Sequence, residues 1–331
     1  MEDVTYPKKR MAELLSMSVD ELETLERVGV LSELGGPKET YPLGDLSRYR
    51  ARLARQPARQ PLRTQLFLNF KGGTGKTSLS VSYAQRLAEL GHRVLLIDLD
   101  SQGHATKCVG YDGEEQDATL FEVLVKKVPM AEVRIETEIP ELHLIPSNLR
   151  MATVDLSLMP MSNRENRLKR SLAAVQDEYE YVVLDAPPSF GLLNLNAIVA
   201  ADDLIVPVLP DFLSFHGLKL LFETLDDIAE DLDHRLERVF IVINQFNPTT
   251  KIARAARDAL AEHYPEYLLP EVVRQCTTFA QASSEGTPIF LFDPSSKGAA
   301  DVQTMIDAIH APATAQVTPS QPEPVATEQM Q

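Results

Sequence analysis

Short apolar runs alternate with stretches of helical period through most of this chain. The runs at 65–70, 93–98, 142–146, 181–185, 203–209 and 239–244 are too continuously apolar for a sheet with one wet face. They predict strands buried on both faces. Between the first two lies a helical pattern over 76–90, closed by Gly91. Strands and helices in alternation predict an α/β fold with a doubly wound, mostly parallel sheet, whose ligand lies at the carboxyl ends of the strands. Upstream the pattern changes. Apolar residues recur at helical spacing over 9–15, 19–28 and 46–55, and Ser18 followed by Glu21 is a capping-box signature. Gly35-Gly36-Pro37 predicts a turn. The reading is a small helical unit (1–55), a linker with two prolines (56–64), an α/β domain (65–310), and a disordered Pro/Thr/Gln/Ala-rich tail (311–331).

The chain has 331 residues, 44% of them hydrophobic, enough for one large core and a small addition. No run reaches the ~18 apolar residues of a membrane span. The N-terminus lacks an apolar signal segment. Cys108 and Cys276 lie far apart without metal spacing, which fits a reduced, cytoplasmic chain. The net charge of −16 is uneven: residues 1–64 hold 11 basic and 10 acidic residues, and the rest hold 21 basic against 38 acidic. Within the first part Arg48, Arg50, Arg52, Arg55, Arg59 and Arg63 follow one another with no acid between, a stripe on which a phosphate backbone could lie. An acidic main domain means that any nucleic-acid contact there must come from a local patch.

The chemistry is concentrated in Phe70–Ser78, FKGGTGKTS, directly after the first strand. Gly72, Gly73 and Gly75 let backbone amides turn inward around anionic oxygens, with Thr74 between them. The next helix aims its N-terminal amides, including that of Ser78, at the same phosphates. Lys76 would neutralise the β- and γ-phosphates and Thr77 would ligate Mg²⁺. The usual loop begins with glycine where this chain has Phe70, and it carries a second lysine, Lys71. The form KGGxGKT resembles the deviant Walker A motif of the ParA/MinD superfamily of dimeric ATPases, in which the early lysine reaches the partner subunit's nucleotide. The resemblance places Lys71 in that role.

Three further segments match the ParA pattern in order. Asp98-Leu99-Asp100-Ser101-Gln102-Gly103-His104-Ala105-Thr106 resembles D-x-D-P-Q-G-N-x-T, with Ser101 for proline and His104 for asparagine. It implies Asp100 for orienting the attacking water and Asp98 for the metal shell. Tyr181–Asp185 followed by Ala186-Pro187-Pro188 resembles the Walker B strand, with Asp185 toward Mg²⁺. Asn244, at the end of a late strand, fits the family's adenine contact. The segments around 279–290 and 293–299 are also ParA-like, so the resemblance spans about 65–310. Cluster-ligand cysteine pairs are missing, which excludes the iron–sulfur branch. The tail has no Lys or Arg, which removes the basic amphipathic membrane helix of the MinD branch. His216 and Cys108 are read as structural.

The N-terminal unit resembles the helix-turn-helix of MerR-type regulators over about fifty residues, with 19–28 as recognition helix. Asp20, Glu21, Glu23 and Glu26 on that helix are poor partners for DNA, so DNA binding and protein docking both stay open. The resemblance implies a partition or positioning ATPase that dimerises on ATP–Mg²⁺, turns over slowly, answers to a ParB-like adaptor and binds nonspecific DNA. Candidate DNA contacts are Lys251, Arg254 and Arg257 on one helix, with Arg274 and Lys297. Such a protein would be cytoplasmic and nucleoid-associated, without a membrane. The rivals are an operator-binding regulator whose ATPase controls dimerisation, and a polar scaffold that never touches DNA.

Overall fold

The computed structural model describes residues 4–31 and 38–311. The expected Gly35-Gly36-Pro37 turn and the tail beyond Ala311 lie outside the described residues. Eight strands form one sheet: β3 (Arg63–Phe67), β4 (Val94–Asp98), β5 (Ile135–Glu136), β6 (Leu142–Ile145), β7 (Tyr181–Asp185), β8 (Asp203–Val208), β9 (Arg238–Phe246) and β10 (Leu268–Arg274). Their order is β10-β9-β8-β3-β7-β4-β6-β5, and only the β5–β6 pair is antiparallel. This is the doubly wound, mostly parallel sheet that the apolar runs predict. Every residue of β4, β7 and β8 is buried. The sequence reading omitted β5 and β10. β10 (LLPEVVR) is mixed in burial and contains Pro270 and Glu271, so it lacks the continuous apolar run of the central strands.

Because the strands are parallel, the sheet has two unlike edges. At the carboxyl edge β3 leads into the glycine-rich loop. At the amino edge sits the N-terminal unit, built from β1 (Thr5–Pro7) paired antiparallel with β2 (Thr40–Pro42), and helices α1 (Lys8–Leu14), α2 (Val19–Arg27) and α3 (Asp45–Arg52). The predicted capping box at Ser18 and Glu21 is present. Tyr6, Met11, Leu15, Leu22, Tyr41 and Leu46 of this unit join one apolar cluster with Tyr83 and Leu87 of α4 (Lys76–Glu89). The unit is therefore a cap packed on the main domain.

Each arginine of the stripe has a partner within the fold, and Arg48, Arg52, Arg55 and Arg59 stay exposed. Arg50 is buried and donates to the carbonyls of Leu14 and Glu89. Arg55 donates to the Leu15 and Ser16 carbonyls, Arg52 to that of Val30, and Arg59 to that of Asp177. Arg63 closes bidentately on Asp203, at 2.9 and 2.6 Å. Arg48 pairs with Asp45 and stays exposed. At the centre of the contact the Glu89 carboxylate, fully buried, is held by Arg10 at 2.7 Å and Arg86 at 3.0 Å. The 56–64 stretch is pinned as well as connecting: Gln60 N donates to Glu180.

Candidate nucleotide-binding site

The loop after β3 turns through Gly73 and Gly75, both with positive φ (+74° and +88°). A side chain at Gly75 would strike Asn244, whose Nδ2 lies 2.1 Å from the position of a Cβ. Lys76 opens α4 and is buried, its Nζ donating back to the Lys71 carbonyl at 3.3 Å. Burial pulls its ammonium below the ordinary lysine range, with Asp185 and Asp100 opposing. That is the arrangement of a cation held ready for anionic oxygens. Lys71 goes elsewhere. Its Nζ meets Asp211 at 2.7 Å, just beyond the end of β8. Burial raises the Asp211 carboxyl, but Lys71 and Ser214 outweigh it and leave it below the ordinary range.

Behind the loop two carboxylates stand side by side, because Asp98 and Asp185 are register partners on β4 and β7. Both are fully buried. Asp185 accepts from Thr77 at 2.8 Å and Ser80 at 2.9 Å. Asp98 accepts from the Thr106 amide and hydroxyl, both at 2.8 Å, and from the Asp100 amide at 3.0 Å. Burial pushes both carboxyls above the carboxylate range, Asp98 adding to the shift of Asp185. A divalent cation beside Thr77 and Asp185 would relieve that repulsion, so the residues fit Mg²⁺. Among the described residues no group of three or more His, Cys, Asp or Glu side chains could hold a metal by itself. The remaining ligands would have to come from nucleotide and water. Asp100 is half-exposed, and among the described residues its carboxylate is braced by the Gln102 amide at 3.0 Å, leaving room to meet a water.

The structure thus brings together Lys76, Thr77, Asp98, Asp100 and Asp185. Asn244 is also at the loop, 5% exposed, with its Nδ2 on the Thr74 carbonyl at 2.8 Å. Sequence reasoning passed over Asp211, Ser80 and Gln245. Asp211 and Gln245 lie at strand ends on the carboxyl edge, which is the signal that could have found them. It also passed over the consequence of Phe70, which stacks on Phe190 of the loop after β7 with ring centroids 3.4 Å apart. His216 is exposed on the helix after β8. Cys108 is buried and its thiol is raised by that burial, in keeping with a structural role.

The basic candidates separate. Lys251, Arg254 and Arg257 are exposed on the helix Lys251–His263, which follows β9 at the carboxyl edge. Lys297 is exposed. Arg274 is closed on Asp301 at 2.6 Å. Among the described residues no helix is long and apolar enough to cross a membrane.

Residues 63–238 match a family model described as an AAA domain. The chain is 59% identical over 309 residues to the cell division protein PomZ of Myxococcus xanthus, covering 93% of this chain and 94% of that protein. So long a match must include much of the N-terminal cap. It is 32% identical over 235 residues to the chromosome partitioning protein ParA of Caulobacter vibrioides, covering 70% of this chain and 88% of that protein. Among solved structures it resembles cobyrinic acid a,c-diamide synthase of Mycobacterium smegmatis with bound ATP analogue and magnesium, with TM-score 0.65 and 29% identity over 75% of this chain and 94% of that one.

Proposed function

The chain belongs to the AAA-domain family in its ParA/MinD-type branch, and we propose that it is an ATP-switched dimer that positions or partitions a cargo. It is a P-loop ATPase of the positioning and partitioning kind. ATP with Mg²⁺ would occupy the loop. Lys76 and the amides of residues 72–78 would hold the phosphates, and Thr77 and Asp185 the metal, with Asp98 fixing the strand end behind them. Bound Mg²⁺ supplies charge neutralisation at the phosphates. Asp100 orients the water.

The observation that carries this reading is the divergent fate of the two loop lysines. Lys76 is buried with its ammonium on the loop's own Lys71 carbonyl, while Lys71 is ion-paired with Asp211. A lysine held at Asp211 would exchange that ion pair for a second copy's phosphates. ATP would bring two copies together, close the site against water and hold the dimer until hydrolysis. Nonspecific DNA would lie on Lys251, Arg254, Arg257 and Lys297; Arg274, neutralised by Asp301, is a weaker candidate. An adaptor of the ParB kind would stimulate the slow turnover.

The test is light scattering on size exclusion with ATP–Mg²⁺ and with ADP, repeated with nonspecific duplex DNA. An ATP-only dimer that co-elutes with DNA is expected. A monomer in both nucleotides would overturn the switch, and an ATP dimer that ignores DNA would move the reading to a protein scaffold.

A further inference from the structure

The end of β9 makes two consecutive bonds to the tip of the phosphate loop. Asn244 Nδ2 donates to the Thr74 carbonyl at 2.8 Å, and Gln245 Nε2 donates to the Gly73 carbonyl at 3.1 Å. Asn244 is held in turn, because its Oδ1 accepts the Gln245 amide at 2.9 Å. Both ends of the Asn244 side chain are therefore engaged, and their partners fix its orientation. Gln245 has a left-handed backbone, φ +54°, a conformation unfavourable for a residue with a Cβ. Departures of this kind persist where the surroundings impose them.

The consequence follows from peptide geometry. In a planar trans peptide the C=O and the next N–H point in opposite directions. Pinning the Gly73 carbonyl to β9 aims the Thr74 N–H away from β9, and pinning the Thr74 carbonyl does the same for the Gly75 N–H. We infer that Asn244 and Gln245 are positioning residues that fix the two central peptide planes of the phosphate loop, so that Asn244 serves the phosphates through the backbone whatever its free N–H and lone pair give the base. The inference rests on the ATPase reading. It also explains why position 75 must be glycine beyond its φ: the space of a Cβ is occupied by the Asn244 amide.

The experiment uses the full chain and titrates ATP–Mg²⁺ by calorimetry and GTP–Mg²⁺ by competition, with melting temperatures recorded in parallel. Gln245→Ala is expected to weaken ATP and GTP by the same factor, about fivefold for one lost neutral hydrogen bond. Gln245→Gly should show the same loss of affinity with an unchanged or higher melting temperature, because glycine tolerates the left-handed backbone. A merely structural residue would not separate affinity from stability in that way. Asn244→Ala should lower both affinities by about tenfold, for a buried bond. Parent-like affinity in Gln245→Gly would overturn the tether. Loss of ATP with GTP retained in Asn244→Ala would return Asn244 to the base. A parent protein that bound no ATP would instead overturn the ATPase reading itself.

Discussion

The two edges of the sheet use similar residues to opposite ends. At the carboxyl edge charged groups are left incompletely answered: Lys76 buried against a carbonyl, Asp98 and Asp185 adjacent and pushed up by burial, Asp100 braced by one backbone amide. At the amino edge charged groups are closed off. Glu89 is buried between Arg10 and Arg86, and Asp203 takes both Arg63 and Arg238. α4 joins the edges, from Lys76 at the loop to Glu89 at the cap, about 20 Å apart at 1.5 Å per residue. The contrast teaches that charge in a sequence says little until its partners are known. A site keeps its charges available for a ligand, and a scaffold neutralises them within the fold.

The largest expected effects break the first edge. Lys76→Ala should abolish nucleotide binding by calorimetry, since nothing else buried in the cradle is cationic; retained tight ATP binding would sink the loop assignment. Asp100→Ala should still bind ATP and dimerise while phosphate release falls by about a hundredfold or more, the scale of a lost general-base contribution. If it stays monomeric with ATP, the role given to Asp100 is wrong. At the other edge Glu89→Ala should cost about 3 kcal/mol in denaturant unfolding, because it leaves Arg10 and Arg86 mostly buried without their carboxylate. Its surviving molecules should bind ATP normally. A cost below about 1 kcal/mol would mean that the cap is only loosely seated.

Asp185 offers a test with a sign. Its carboxyl is raised in the fold, so the protonated form contributes stability that is full below the unfolded value near about 4 and is lost as pH rises through the raised one. Without ligand, the parent should therefore melt lower at pH 8 than at pH 6 on this account. Asp185→Asn should flatten that fall and exceed the parent at pH 8 by about 1 kcal/mol or more, while losing Mg²⁺-dependent turnover. A variant less stable than the parent at pH 8 would show that the Thr77 and Ser80 hydrogen bonds outweigh the buried charge.

How much of this was legible varies with the kind of signal. The six inner strands of the sheet announce themselves as apolar runs, and the glycine–lysine loop by its spacing, because both depend on residues close in sequence. β10 does not, since it packs as an outer strand of mixed burial with a proline inside it. Asp211 and Gln245 do not, because their partners at Lys71 and Gly73 lie 140 and 172 residues away. The partners of the arginine stripe are hidden for the same reason. Six arginines without an acid between them look like a free basic surface, yet the carbonyls and carboxylates that take them come from Leu14, Glu89, Asp177 and Asp203, none of which local patterning can bring near.

The smallest effect separates the two basic surfaces most cleanly. Arg48 is 71% exposed and pairs with Asp45, a buried carboxylate that keeps Lys38 at 3.1 Å when Arg48 is removed, so Arg48→Ala should cost about 1 kcal/mol or less. Lys251 is exposed at the start of a helix on the opposite edge, beside Arg254 and Arg257. If DNA lies there, Lys251→Ala removes one phosphate contact. The slope of log affinity against log salt for the ATP-bound protein on nonspecific duplex should then become shallower by about 0.9. Arg48→Ala should leave that slope unchanged. A slope that answers to Arg48 and ignores Lys251 would reverse the assignment, placing the DNA on the cap and leaving the helix Lys251–His263 as an ordinary solvated face.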